Sequence, residues 1–111
     1  MSSFQHKVKA AAKHVALLRS GTGMQKEKAA GTLMRLAAND DNHVQEAIAR
    51  AGGIEPLIAL VRGGTDMQKE NAASALWNLA ANDDNQAAIA RAGGIEPLIA
   101  LVRGGTDMQK E

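Results

Sequence analysis

A chain of 111 residues is about one small domain, and 45% hydrophobic residues are enough to give it a core. Phe4 and Trp77 are its only aromatic residues, eleven residues are glycine, and cysteine is absent; a disulfide framework and a thiolate metal site are thereby excluded. Thirteen basic against twelve acidic residues leave a net charge of +1, and with no aromatic platform this argues against a nucleic-acid partner.

The apolar residues are mostly Ala, Leu and Ile, which suits close-packed helices better than a sheet of β-branched and aromatic residues. No apolar run approaches the roughly 20 residues of a membrane span, so no membrane partner is expected. The opening MSSFQHKVKAAAKHVALL lacks the uninterrupted apolar stretch and small-residue cleavage site of a signal peptide. A cytoplasmic or nuclear location, not a secreted one, is the expectation. Charge is unevenly placed: seven basic residues and one acid lie up to Arg35, six basic residues and eleven acids after it.

Taken in chain order, the first element is a helix. Phe4, Val8, Ala11, Val15 and Leu18 fall on one side of it, with Lys7, Lys9 and Lys13 off that side. From Leu17 the chain repeats itself: LLRSGTGMQKEKAAGTLMRLAANDDN (17–42) matches LVRGGTDMQKENAASALWNLAANDDN (60–85). RLAANDDNHVQEAIARAGGIEPLI (35–58) matches NLAANDDNQAAIARAGGIEPLI (78–99), with two residues added after NDDN. A period of about forty residues predicts stacked helical units, each unable to bury its apolar face without a neighbour.

Within a unit the punctuation is local. Residues 82–92 predict a short helix, capped by Asp83, Asp84 or Asn85 and ended by a left-handed turn at Gly93-Gly94. IEPLIALVR (54–62) predicts a second, with Pro56 in its first turn and Gly63-Gly64 closing it. Thr65 and Gln68 have capping-box spacing and open a third, longer helix to about Ala81. Ala72, Ala75, Leu76, Leu79 and Ala80 share one side of it, and the alanines permit close helix approach.

Two short helices and a long one, with AGGIEPLIALVRGG between NDDNQAAIAR and ALWNLA, resemble the armadillo repeat of β-catenin and importin-α. The resemblance runs from about Lys9 to Glu111; the Gly-Gly turn and short first helix argue against the related HEAT repeat. It implies an all-α, right-handed α-α superhelix of about two and a third repeats. The expected divisions are a partial repeat over 1–41, a complete one over 42–81, and a partial one over 82–111 lacking its third helix.

The family typically binds extended peptides in a groove lined by third helices, so the resemblance implies a protein or peptide partner. Asn78 matches the asparagine that there holds the peptide main chain, and an amide offers both donor and acceptor. On a helical wheel Asn71, Ser74, Asn78 and Asn82 form a polar stripe with Trp77 at its edge. An ordinary solvated or capping asparagine is the alternative for Asn78. Trp77 reads as packing between third helices before it reads as a ligand platform. The preceding unit carries Lys28, Gly31, Arg35 and Asn39 at the matching places, so only one clamp position is intact. Lys28 and Arg35 suit an acidic peptide or, equally, a solvated charged face. The five methionines read as core filler.

No catalytic constellation is present. His6, His14 and His43 share no metal-binding spacing, and the Gly pairs follow no strand that would make them a phosphate or dinucleotide loop. No enzyme activity, cofactor or metal is expected. The nineteen residues GGIEPLIALVRGGTDMQKE occur at 52–70 and again at 93–111, which points to recent duplication or deliberate design. The second run stops about one turn into a third helix. Leu98, Ile99, Leu101, Val102 and Met108 are therefore expected at an uncovered apolar end that self-associates. A two-fold dimer is the simplest closed form, with head-to-tail stacking as the alternative.

Overall fold

The computed structural model describes residues 3–38 and 42–104, and among these every regular element is a helix. In chain order they are α1 (Ser3–Ser20), α2 (Gly23–Ala38), α3 (Asn42–Arg50), α4 (Ile54–Gly63), α5 (Asp66–Leu79), α6 (Asp83–Arg91) and α7 (Ile95–Gly104). They stack into an elongated all-α solenoid measuring 44 × 30 × 23 Å. Helices α2 and α5 lie against each other, α4 packs on α5, and α1, the longest of the seven, on α2.

Apolar spacing accounts for these contacts. Ala11, Val15 and Leu18 of α1 are buried, as the one-sided pattern requires, while Phe4 at the helix start is exposed and meets the His43 ring edge-on at 6.1 Å. Ala29, Ala30, Leu33 and Ala37 of α2 and Ala72, Ala75, Leu76 and Leu79 of α5 are buried in one continuous core. Small side chains let the two helices approach closely. Leu76 and Leu79, fully buried, fill the space beneath them.

The ends of the helices follow from local chemistry. Thr65 accepts from the Gln68 N–H while the Gln68 side chain accepts from the Thr65 N–H, a complete capping box. Thr22 and Gln25 make the same reciprocal pair ahead of α2. Gly93 has φ +81° and Gly52 φ +86°, the left-handed turn in which glycine has no side chain to clash. The N–H of Gly94 then reaches back to the Ile89 carbonyl and that of Gly53 to Ile48.

Two local expectations change. The cap of α6 is Asn82, not Asp83, Asp84 or Asn85: its backbone is extended (φ −91°, ψ 126°) and its side chain accepts from the Asn85 N–H. The third helix α5 ends at Leu79, two residues before Ala81, because the chain must leave the helix to set up that cap. Gly63-Gly64 closes α4 as its position predicts, and does so without a left-handed residue. Gly64 is extended (φ −80°, ψ 179°), and glycine fits there because a Cβ would stand 2.7 Å from the Leu60 carbonyl oxygen.

Candidate protein-interaction surfaces

The face made by α2 and α5 is stitched by amides. From α5, the Gln68 side chain donates to the Gly23 carbonyl at 2.8 Å, Asn71 to Glu27 at 3.2 Å and Asn78 to Met34 at 3.0 Å. Each acceptor is a backbone carbonyl of α2. Asn71 and Asn78 are half-buried by this arrangement, so one N–H of each is already committed within the molecule. Ser74, between them, is exposed and makes no such bond. Gln68 belongs to the ladder although the polar stripe omits it; its role in the capping box concealed a second use of the same amide.

Asn82 departs from the expected stripe altogether. It is buried as the cap of α6, beyond the end of α5, and faces no groove. Trp77 is not packed between helices: it is 78% exposed and borders an open cleft of about 470 Å³ with Asn78, Gln45 and Gln86. The side-chain amide of Gln45 donates to the Ala37 carbonyl at 3.0 Å, and its buried Oε1 has no hydrogen-bond partner among the described residues. Gln86 makes the matching bond to the Ala80 carbonyl at 2.7 Å. Lys28 and Arg35 are exposed on α2, where the Arg35 guanidinium reaches the Thr32 hydroxyl at 3.2 Å. The methionines are not all core filler: Met24 and Met67 are exposed at the starts of α2 and α5, and Met34 is partly buried against the core.

A second surface lies at the other end of the stack. Helices α4 and α7 have the same ten residues, IEPLIALVRG, yet different surroundings. In α4, Ile54, Ile58 and Val61 are 7%, 3% and 4% exposed; their counterparts Ile95, Ile99 and Val102 in α7 are 48%, 46% and 80% exposed. Elements α6 and α7 pack on α4, whereas α7 has no described helix on its outer side. The residues expected at this end divide into two rows. Leu101 is buried and Leu98 partly buried against the core, so both point inward and leave the surface. Ile99 and Val102 point outward together with Ile95, a residue outside the expected set. Met108 lies outside the described residues.

The joints between successive layers recur. Arg19 donates to the Gly52 carbonyl and Arg62 to the Gly93 carbonyl, both at 3.0 Å. Asn85 of α6 donates to the Gln45 carbonyl of α3 at 3.2 Å. Each layer is thus tied to the previous one through main-chain carbonyls. Among the described residues no group of three or more His, Cys, Asp or Glu is placed to hold a metal ion, and no helix is long and apolar enough to cross a membrane.

Residues 41–81 match the family described as Armadillo/beta-catenin-like repeat. Two solved structures are similar over most of the chain, both crystal structures of engineered proteins from the Northeast Structural Genomics Consortium. The first is 32% identical with a TM-score of 0.80 over 89% of this chain and 40% of its own. The second is 33% identical with a TM-score of 0.83 over 91% of this chain and 25% of its own. The chain therefore spans less than half the length of either. Among curated proteins none matches. Residues 41–81 are thus an armadillo-type repeat, set in a helical stack with further helices on both sides of it.

Proposed function

We propose that the chain is a non-enzymatic protein-interaction scaffold that associates with copies of itself through the outer face of α7. One observation carries this reading: ten identical residues are covered in α4 and bare in α7. Burying Ile95, Ile99 and Val102 as their counterparts are buried would remove apolar area from water, at roughly 25 cal/mol per Å². In the same reading the chain divides as the repeat pattern does, into a partial unit over 1–41, a complete one over 42–81 and a partial one over 82–111. Size-exclusion chromatography with light scattering over a wide concentration range tests it. A mass that stays at 11.6 kDa at hundreds of micromolar is incompatible with it.

A second reading is favoured by the cleft beside Trp77: an extended peptide bound along the α2/α5 face. The exposed indole, beside Asn78 at the edge of the cleft, offers apolar area to such a peptide. Lys28 and Arg35 would favour acidic residues at its N-terminal end. Because Trp77 is the sole tryptophan, its fluorescence reports binding directly. Acidic peptides that leave its emission unchanged at millimolar concentration would count against the groove. An excised or engineered array fragment, as both structural neighbours are engineered, is the alternative in which assembly is the main property and no physiological ligand exists.

A further inference from the structure

The outer face of α7 holds more than an apolar row. Measured from Ile99 at about 100° per residue, Ile95 and Val102 lie about 40° and 60° to one side, and Glu96 and Arg103 about 60° and 40° to the other. Both charged side chains are exposed, and neither has an ion-pair partner among the described residues. One flank is therefore apolar and the other carries one charge of each sign.

We propose that two copies of this chain pair through antiparallel α7 helices about a two-fold axis passing by Ile99. The proposal rests on the self-association reading above and specifies its geometry. A two-fold axis perpendicular to both helices reverses their direction while keeping each flank on its own side. Glu96 then lies opposite the partner's Arg103, and Arg103 opposite the partner's Glu96, with an axial offset of about 1.5 Å. On the other flank Ile95 meets the partner's Val102 by the same arithmetic, and the two Ile99 side chains meet on the axis. One rotation satisfies the apolar row and both charges at once.

Head-to-tail stacking fits the molecule less well. In α4 the residue matching Arg103 is Arg62, and its guanidinium needs the carbonyl of a left-handed glycine in the next layer. Both such carbonyls are already occupied, Gly52 by Arg19 and Gly93 by Arg62. The helix α1 at the opposite end offers no third: where the later units have Gly-Gly it has Lys9-Ala10, within a continuous helix. A second copy arriving by its α1 end gives Arg103 no such acceptor. A second copy arriving by its own α7 gives it a carboxylate.

A single pair of ten-residue helices buries less than the roughly 1,200 Å² of a standard stable interface, so the dimer forms and dissociates with concentration. Charge reversal tests the register. Glu96→Lys places two like-charged pairs in the interface, and so does Arg103→Glu; each alone should weaken dimerisation roughly tenfold or more. An equimolar mixture of the two variants restores both opposite-charge pairs and should regain dimer as a heterodimer. Far-UV circular dichroism confirms that these exposed changes leave the fold intact. As a second measurement, Ile99→Cys in this cysteine-free chain should cross-link as a dimer under mild oxidation.

The outcomes separate cleanly. A wild-type chain that is monomeric throughout removes the self-association reading itself. A wild-type dimer that ignores both reversals, or a mixture that fails to recover, leaves self-association standing and overturns the antiparallel register. Oligomers that lengthen with concentration overturn it in favour of head-to-tail stacking. Loss in each single variant with recovery in the mixture supports it.

Discussion

Arg62 reaches across 31 residues of sequence to donate its guanidinium to the carbonyl of Gly93, 3.0 Å away. The glycine it selects is the one left-handed residue of that turn, at φ +81°. Arg19 and Gly52 repeat the arrangement one layer earlier. A helix end, a turn and the next layer are joined at one atom.

Substituting that turn separates backbone from side chain. Gly93→Ala forces a Cβ into a left-handed residue and should cost about 1–2 kcal/mol. Arg62→Ala removes a single exposed hydrogen bond and should cost about 0.5 kcal/mol. Urea denaturation followed by circular dichroism reads both, and the arginine change should be the smaller.

Gln68 serves two masters. Its Oε1 completes the capping box with the Thr65 N–H, and its amide donates to Gly23 of α2. Gln68→Ala should therefore cost more than Thr65→Ala, about 2 kcal/mol against about 1 kcal/mol. Gln68→Glu keeps the acceptor but loses the donor, and should fall between them. Equal losses in Gln68→Ala and Thr65→Ala would show that the bond to Gly23 contributes nothing.

Neighbours on one helix should behave in opposite ways. Leu76 is fully buried, so Leu76→Ala should cost about 2–5 kcal/mol. Trp77 beside it is largely exposed, and Trp77→Ala should change stability by less than about 0.5 kcal/mol. A tryptophan change as costly as the leucine change would place that side chain in the core.

Overpacking tests how closely α2 and α5 approach. Ala75→Leu inserts three carbon atoms at a position with no exposed surface, and should cost about 1–3 kcal/mol or more. The same change at exposed Ala81 should be nearly neutral. Thermal unfolding of the pair gives the comparison without reference to any ligand.

What the sequence made legible was what depends on near neighbours. The Thr65–Gln68 box, the left-handed glycine after Ala92 and the buried side of α5 each rest on residues within one or two turns. Asn82 was harder because NDDN offers four residues able to cap, and only the backbone direction decides among them. The amide ladder was hidden for a different reason. Helical phase places Asn71 and Asn78 on a polar stripe, but whether they meet solvent or the carbonyls of Glu27 and Met34 depends on how near α2 comes. Leu101 and Ile95 changed places similarly, since phase within α7 does not say which side meets α4.

The paired helices α4 and α7 carry a consequence for how such a molecule lengthens. Because one ten-residue text serves at an internal layer and at an outer one, hydrophobicity here is an address assigned by position in the stack, not by spelling. Lengthening by duplication needs no new code: each added copy turns yesterday's exterior into interior and presents an identical exterior in its place. Growth of that kind has no built-in stopping rule, so a length limit must come from residues that differ between copies. Lys9-Ala10, standing in unbroken α1 where later units have Gly-Gly, is such a difference.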